Sequence, residues 1–379
     1  MSSFKLSDEH ERLIQRAREV VRSDLVPVAG AGEAHRVNRP LLRALADAGL
    51  LPRLFPRGAG GTHEGDVSAL ELCVLREAVA TESTEAESAL ALQGLGSYPV
   101  LQSGSEELVK RWIPAAAAGE AVAAFALTEE TGGSDAAALE LRAERRGSEF
   151  VLTGTKKWIS NAPEADFYVV FARTTPRAGA RGVTAFLVPG GLPGLSGRPL
   201  ELMVPHAIGE LVFDGVHVPG DHILGEVDRG FRVAMRTLDL FRPSVGAFAV
   251  GMAQAALERS VFHAGRREAF GRKLRDFQAV SHRLAEMATR TQAARLMVYA
   301  AAAAYDSGDE HVTRSSAMAK LHATEMAQFV VDAAVQIHGA AALEKGHLLE
   351  HLYREVRAPR IYEGTSEIQR EVIARDLYR

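Results

Sequence analysis

The sequence has little cysteine, few aromatic side chains and no marked excess of charge. Cys73 is the single cysteine among 379 residues, which excludes a disulfide or a cysteine-based metal site within one chain. The formal net charge is −4, and the arginines are dispersed, so no nucleic-acid partner is predicted. Residues 1–10 do not resemble a signal peptide, and no apolar run approaches the roughly 20 residues that cross a bilayer. The sequence therefore predicts a cytoplasmic protein without a membrane partner.

Several short catalytic motifs are also missing. There is no Walker A loop, no G-x-G-x-x-G and no G-x-S-x-G. One metal pattern is present, the H-x-x-E-H run formed by His347, Glu350 and His351, whose spacing places both histidines on one helical face. Since no third ligand follows at a suitable spacing, we predict no metal site.

The hydrophobic periodicity divides the chain into three predicted domains. Residues 1–120 show helical periods and form an N-terminal helical domain. Residues 121–229 contain β-branched and aromatic runs between glycine and proline turns, which predicts a small antiparallel β-barrel or sandwich. Residues 230–379 return to the helical period, with long segments at 277–305 and 312–338 that are typical of a four-helix bundle. The fold class is therefore mostly α with a middle β domain.

Prolines suggest where some of these helices are interrupted. The first helix is expected to begin near Ser7 and to end at Pro27, and Pro114 is expected to limit a later one. Pro243 is predicted to lie in the first turn of a helical continuation.

Glu363 stands out near the C-terminus, between Tyr362 and Gly364. Gly364 permits a backbone that other residues resist, and Thr365 or Ser366 can cap a following helix. A carboxylate desolvated at such a loop-to-helix junction has a raised pKa and can act as a base near neutral pH. A surface glutamate ahead of a capped helix is the alternative interpretation.

Two further motifs flank the predicted β domain. Gly132 and Gly133, followed by Ser134, give a backbone that can approach a ligand and offer N–H groups, although a plain turn fits equally well. Trp158 and Ser160 combine a flat apolar surface with a hydroxyl group, which suits a planar heterocycle. A strand with one packed tryptophan is the alternative.

Two motifs in the C-terminal part could contact a ligand. The linker at residues 266–278 brings several cations beside Phe270, an arrangement that can bind a pyrophosphate next to an aromatic ring system or can simply be a solvated basic loop. Gln336 ends the longest predicted helix, with Gly339 as its C-cap. Gln336 is expected to donate a side-chain hydrogen bond there.

The order and spacing of these motifs along nearly the whole chain resemble the acyl-CoA dehydrogenase family. The resemblance implies the same three-domain fold and FAD as the cofactor. It assigns flavin contacts to Phe125, Leu127, Thr128, Gly133, Ser134, Trp158, Ser160, Thr365 and Glu367. It assigns contacts across a subunit interface to Arg267, Phe270, Gln278, Gln336, Gly339 and Ala340. Substrate contacts fall on Ser134, Asp239, Arg242, Tyr362 and Gly364.

The same resemblance identifies Glu363 as the catalytic base. The family's second position for that base corresponds here to Phe241, which cannot accept a proton. Glu363 is expected to remove the α-proton of an acyl-CoA while the β-hydrogen leaves as hydride to the flavin, giving a trans-2-enoyl-CoA. Reduced flavin is expected to pass electrons to an electron-transferring flavoprotein. A homotetramer, arranged as a dimer of dimers, and a role in fatty acid metabolism are also implied.

One departure from the family concerns the turn after Gln336, where Ala340 stands in place of a frequent second glycine and could crowd the pyrophosphate. Alternatives of the same fold are an acyl-CoA oxidase and a flavoprotein without dehydrogenase activity, either desulfinase-like or nucleic-acid-binding. The sequence leaves open the length, branching or ring nature of the acyl group and a catabolic or biosynthetic role.

Overall fold

The computed structural model describes residues 6–378 and places helices at both ends of the chain around a run of strands. Residues 1–5, part of the segment in which no signal peptide was predicted, lie outside the described residues. The α-helices are α1 Asp8–Val20, α2 Val26–Gly30, α3 Arg39–Asp47, α4 Ala69–Glu82, α5 Thr84–Ser103, α6 Glu106–Ala117, α7 Gly230–Arg266, α8 Gln278–Asp306, α9 Val312–His338, α10 Leu348–Glu355 and α11 Ser366–Leu377.

The strands are mostly confined to the middle of the sequence. They are β1 Ala123–Ala126, β2 Arg142–Arg146, β3 Glu149–Ser160, β4 Phe167–Arg173, β5 Val183–Pro189, β6 Leu195–Pro199, β7 Ile208–Pro219, β8 Ile223–Leu224, β9 Glu268–Ala269 and β10 Arg272–Lys273. Short 3₁₀ turns connect several elements, among them Gly339–Leu343 and Ala358–Arg360.

By packing, the chain forms two compact units that are discontinuous in sequence. Among the described residues, the helical unit comprises residues 6–22, Ser68–Glu87 and residues 239–378. The sheet unit comprises Ser23–Val67 and Ser88–Leu238. The predicted domain boundaries at 120/121 and 229/230 stay a prediction, because these units group segments that are distant along the chain.

The sheet unit is built on one eight-stranded sheet. The strand order is β6-β7-β3-β2-β4-β5-β8, and β1 pairs with β4. Most neighbours are antiparallel, as predicted, whereas β1 and β2 each pair with β4 in parallel. Aromatic and β-branched side chains from these strands form the core, including the fully buried Phe186, Val188 and Val216. The middle β domain expected from the alternating runs is thereby confirmed.

The helical unit places α9 against α8, α10 and α11. One face of α9 is buried and consists mainly of alanine and valine, which allows close approach of neighbouring helices. By length and mean hydropathy alone, one helical stretch of the described chain, Val312–Leu343, could cross a membrane. A buried core helix satisfies the same criterion, so this composition is weak evidence.

Three prolines are accommodated within helical structure, although Pro27 and Pro114 were predicted to end or limit a helix. Pro27 lies in the first turn of α2, where its missing N–H has no intrahelical partner to lose. Pro114 lies inside α6, which continues to Ala117. Pro243 lies inside α7, a single helix of 37 residues. Tertiary packing of these helices outweighs the local cost of the proline.

Candidate functional site

The turn before α11 holds Glu363 in a strained backbone conformation. Glu363 has φ of 52° and Gly364 has φ of 91°, so two successive residues are left-handed. Thr365 is the N-cap of α11, and its hydroxyl accepts a hydrogen bond from the Ile368 N–H at 3.3 Å. The predicted loop-to-helix junction is confirmed, and a non-glycine residue at positive φ marks Glu363 as a functional candidate.

The carboxylate of Glu363 is only partly satisfied by hydrogen bonds. Its Oε2 atom is buried and has no hydrogen-bond partner within the described chain. Burial raises the pKa of Glu363, while the positive charges of Arg76, Lys320 and Arg242 oppose that rise. A desolvated carboxylate with an open hydrogen-bonding oxygen is equipped to accept a proton.

Three helices supply the cations around Glu363. Arg76 on α4 is paired with the buried Glu87 and donates to the Ser244 hydroxyl at 2.6 Å. Arg242 on α7 lies 3.1 Å from an oxygen of Asp239. Sequence reasoning missed Arg76, although a charged residue within an apolar helical run was a signal that could have identified it.

The third cation, Lys320 on α9, was also missed. Its ammonium group is fully buried and donates to the carbonyl oxygen of Gly364 at 2.7 Å. Burial lowers the pKa of Lys320 to about 8, although the charge of Glu363 acts in the opposite direction. The sequence feature that could have identified Lys320 is its position on the alanine-rich face of a long predicted helix.

Four of the five predicted substrate residues belong to the same unit as this turn. Asp239 and Arg242 share an ion pair on α7, and burial raises the pKa of Asp239 against the effect of Arg242. Tyr362 is adjacent in sequence to Glu363, and its residue surface is 37% exposed. Ser134 belongs to the sheet unit, so the structure brings only the other members of this set into the helical unit.

In the sheet unit, Trp158 is exposed rather than packed. The pairing of β3 with β7 changes register between Lys156 and Ile159, and Trp158 has φ of 58° within this irregularity. The residue is 45% exposed, which excludes the alternative of a tryptophan buried in the strand. A bulge of this kind re-aims a side chain, and here it turns the indole away from the core.

The predicted flavin residues Leu127 and Thr128 lie on a segment that is hydrogen-bonded to β3. Lys156 is fully buried and donates to Leu127 O at 2.9 Å and to Glu129 Oε1 at 2.7 Å. The Lys157 N–H donates to Thr128 O at 3.0 Å, which connects this segment to the strand that carries Trp158 and the half-buried Ser160. Sequence reasoning did not single out the Lys156–Glu129 pair, because pairing of distant charges is not visible in a local pattern.

Most of the remaining predicted cofactor residues are exposed, some in the sheet unit and others in the helical unit. Phe125 is half-buried and packs on Phe171 with ring centroids 4.9 Å apart. Gly133 and Ser134 are exposed, and a Cβ at Gly133 would meet no atom within 4 Å. In the helical unit, the exposed predicted residues are Arg267, Phe270, Gln278, Gln336, Gly339, Ala340 and Glu367.

The turn after α9 has room for a ligand. Gly339 has φ of 65°, and a Cβ there would meet no atom within 4 Å. Ala340 is exposed, so its methyl group projects from the turn without filling the core. Within the helical unit, the exposed Arg267 and the open turn at Gly339 are chemically suited to phosphate groups. Within the sheet unit, the exposed indole of Trp158 is suited to a planar heterocycle.

The residues of the H-x-x-E-H pattern have separate partners. His351 lies 2.6 Å from the Thr84 hydroxyl, and Glu350 is 2.7 Å from Arg354 Nε. His347 accepts a hydrogen bond from the Leu349 N–H at 3.1 Å. Within residues 6–378, no group of three histidine, cysteine or acidic side chains is placed to hold a metal ion.

Comparison with known proteins shows the family of this chain. Three family models match in succession: the acyl-CoA dehydrogenase N-terminal domain at residues 7–120, the middle domain at 124–216 and the C-terminal domain at 228–378. The probable acyl-CoA dehydrogenase FadE25 of Mycobacterium tuberculosis is 37% identical, with 99% of this chain and 97% of that protein covered.

Two solved structures extend the similarity to three dimensions. Butyryl-CoA dehydrogenase from Megasphaera elsdenii has a TM-score of 0.93 and 32% identity, with 100% of both chains covered. A chain from the work on the electron transferring flavoprotein of Acidaminococcus fermentans has a TM-score of 0.93 and 34% identity, again with full coverage of both chains. The chain belongs to the acyl-CoA dehydrogenase family, a family of FAD-dependent oxidoreductases.

Proposed function

We propose that this protein catalyses the α,β-dehydrogenation of an acyl-CoA thioester to a trans-2-enoyl-CoA. The observation that carries the proposal is the buried, unpartnered Oε2 of Glu363 in a left-handed turn. Such an oxygen can accept the α-proton of a thioester, whereas a surface glutamate would be solvated.

The protein groups around Glu363 support proton abstraction. A thioester carbonyl acidifies the adjacent C–H, and a hydrogen bond from the Glu363 backbone N–H would stabilise the developing enolate oxygen. Burial raises the pKa of the carboxyl group, which makes the carboxylate a stronger base than a free glutamate. The α C–H electrons then form the new double bond as the β C–H bond breaks.

FAD, when bound, would accept the β-hydrogen as hydride. Trp158, Ser160 and Thr128 of the sheet unit would contact its ring system. The exposed Arg267 and the open turn at Gly339 would contact the phosphates of a cofactor held by a second subunit. The lack of a Cβ clash at Gly339 and the outward position of Ala340 support this assignment, because neither residue would have to move a neighbouring atom.

The proposal includes an electron-transferring flavoprotein as redox partner and a homotetramer as the working assembly. The similarity to a chain from the Acidaminococcus fermentans structure supports the first. The exposed cofactor residues of the helical unit support the second. A cytoplasmic location and a role in fatty acid metabolism complete the proposal.

The test is anaerobic reduction of the bound flavin by a panel of acyl-CoA thioesters, on the native protein and on Glu363→Gln. We expect one thioester class to bleach the native flavin and the variant to remain oxidised for at least about 10³ times longer, because the amide cannot take the proton. Equal bleaching of both proteins would show that Glu363 is not the base. No bleaching of the native protein by any thioester would contradict the dehydrogenase proposal.

A further inference from the structure

The Lys320 ammonium is buried without a carboxylate within ion-pair distance. Its exposure is 0%, and in the described chain no carboxylate oxygen lies within 4.0 Å of Nζ. Its hydrogen bond goes to the Gly364 carbonyl at 2.7 Å. Burying a charge costs free energy unless it is compensated, so a purely structural lysine would be expected to have a closer partner.

The Gly364 carbonyl lies at the centre of the strained turn. It accepts a second hydrogen bond, from Gln369 Nε2 at 2.9 Å, and the same amide reaches Glu363 O at 3.3 Å. Two donors on one carbonyl fix the orientation of the peptide between Gly364 and Thr365, one residue beyond the proposed base. Left-handed residues persist only where the surrounding structure holds them in place.

Lys320 also differs from the other two cations near Glu363. The charge of Arg76 is compensated by Glu87, and Arg242 has Asp239 as its partner. Lys320 has no such ion-pair partner. Among the neighbouring charges, Glu363 contributes most to favouring the protonated form of Lys320.

We propose that Lys320 is a positioning residue for the base, which holds the Glu363–Gly364 turn through the Gly364 carbonyl and favours the ionised form of the Glu363 carboxyl group. The proposal rests on the proposed function of Glu363 and assigns a role to a residue that acts through it. The charged groups facing Lys320 are Glu363 on the turn, Arg242 on α7, Glu325 on α9 itself and Glu367 on α11. Arg76 on α4 also faces Glu363.

The first experiment measures the pH dependence of flavin reduction in three variants. Lys320→Met removes the charge and the hydrogen bond, and Lys320→Arg keeps the charge. Gln369→Leu removes a neutral donor to the Gly364 carbonyl, together with its longer contact to Glu363 O, and changes no charge. In Lys320→Met we expect the half-rise pH, the pH at which the rate of flavin reduction reaches half of its limiting value, to increase by about one unit. Loss of a nearby cation disfavours the ionised carboxylate of Glu363. We also expect its limiting rate to fall about tenfold or more, because the base is less well positioned.

The two other variants separate charge from hydrogen bonding. Lys320→Arg should keep the half-rise pH of the native protein, and Gln369→Leu should lower the limiting rate while leaving that pH unchanged. A native profile in Lys320→Met, with native limiting rate, would overturn the inference while the proposed function stands. Failure of the native protein to reduce its flavin would instead contradict the proposed function.

A second measurement does not depend on the cofactor, and it tests the inference even if Lys320→Met folds poorly. Urea unfolding midpoints are compared for native protein, Lys320→Gln, Glu363→Gln and the double variant at pH 7. If the ammonium stabilises the carboxylate, Lys320→Gln should be less destabilising, or more stabilising, in the Glu363→Gln background than in the native one. Identical midpoint changes in both backgrounds would show that Lys320 has no electrostatic coupling to Glu363.

Discussion

At the scale of single residues, the left-handed turn before α11 concentrates the strain of the candidate site. Gly364 has φ of 91°, and a Cβ there would lie 2.5 Å from Gln369 Nε2. Gln369 is fully buried and hydrogen-bonded to the turn, so it cannot easily move aside. The position therefore requires glycine for two independent reasons, backbone conformation and space.

We predict that Gly364→Ala lowers the free energy of unfolding by about 1–3 kcal/mol and also slows flavin reduction, because it displaces the Glu363 peptide. The matched control is Gly265→Ala, within α7 of the same unit, where an added Cβ meets nothing within 4 Å. This control should be neutral or slightly stabilising, since alanine favours a helix over glycine. Equal urea midpoints for the two variants would contradict the strain argument.

The raised pKa of Glu363 gives a second prediction at this scale. The folded protein holds the proton more tightly than the unfolded chain, so the stability contributed by this group is present at low pH and is lost as pH rises through the folded pKa. Glu363→Gln should therefore be more stable than the native protein at pH 7. The difference in stability between the two proteins should shrink as the pH is lowered toward 4.5, the ordinary pKa of a glutamate side chain.

Urea unfolding of both proteins between pH 5 and pH 8 provides the measurement. A stability difference that is constant across this range would mean that Glu363 does not titrate differently in the folded state. Catalysis should show the complementary behaviour, with flavin reduction slowing as pH falls through the same pKa.

At the scale of elements, the buried pair of Lys156 and Glu129 joins strand β3 to the segment that carries Thr128. Their side chains are 0% and 5% exposed and lie 2.7 Å apart. Glu129 also accepts hydrogen bonds from the backbone of Glu140 and Leu141. The pair thus holds a loop and a strand in a fixed register beside the exposed indole of Trp158.

We predict that Lys156→Met destabilises the protein by about 3–5 kcal/mol, because it leaves a buried carboxylate without its cation. Lys156→Met combined with Glu129→Gln should recover part of this loss. The control is Lys110→Met, which breaks an exposed pair with Glu106 and should cost less than about 1 kcal/mol. If the double variant is as unstable as the single one, the loss does not come from an unpaired charge.

At the scale of the whole molecule, we propose that the cofactor site is completed by a second subunit. Phe270 is 96% exposed, at φ of 53° in the turn between β9 and β10. An aromatic residue fully exposed in one subunit is available to a cofactor or to a second copy of the chain. The proposed homotetramer has an expected molar mass near four times the 40.8 kDa of one chain.

Phe270→Asn should leave the unfolding of the apoprotein within about 0.5 kcal/mol of native, because the side chain is exposed and asparagine tolerates this backbone angle. It should weaken FAD retention during gel filtration. Tyr378→Asn is the control, since Tyr378 is 93% exposed and lies outside the predicted site. Native FAD retention in Phe270→Asn, or a monomeric native mass by light scattering, would contradict the proposed shared site.

The sequence by itself determined the order of helical and β regions and the junction that carries Glu363. Both are encoded locally: α9 spans the residues that the helical period predicted, and Gly364 and Thr365 specify the turn and the cap of α11 through their own backbone and hydroxyl chemistry. The predicted helix end at Pro27 and the predicted limit at Pro114 were wrong, because packing of a whole helix outweighs one missing N–H.

Only the tertiary structure decided the surroundings of the site. Arg76, Arg242 and Lys320 come from three helices far apart in the sequence, and their approach to Glu363 depends on how those helices pack. The exposure of Trp158 depends on a register shift between β3 and β7, which no pattern within β3 alone specifies. Charge pairing and burial are properties of neighbouring elements, so they became visible only when the chain was folded.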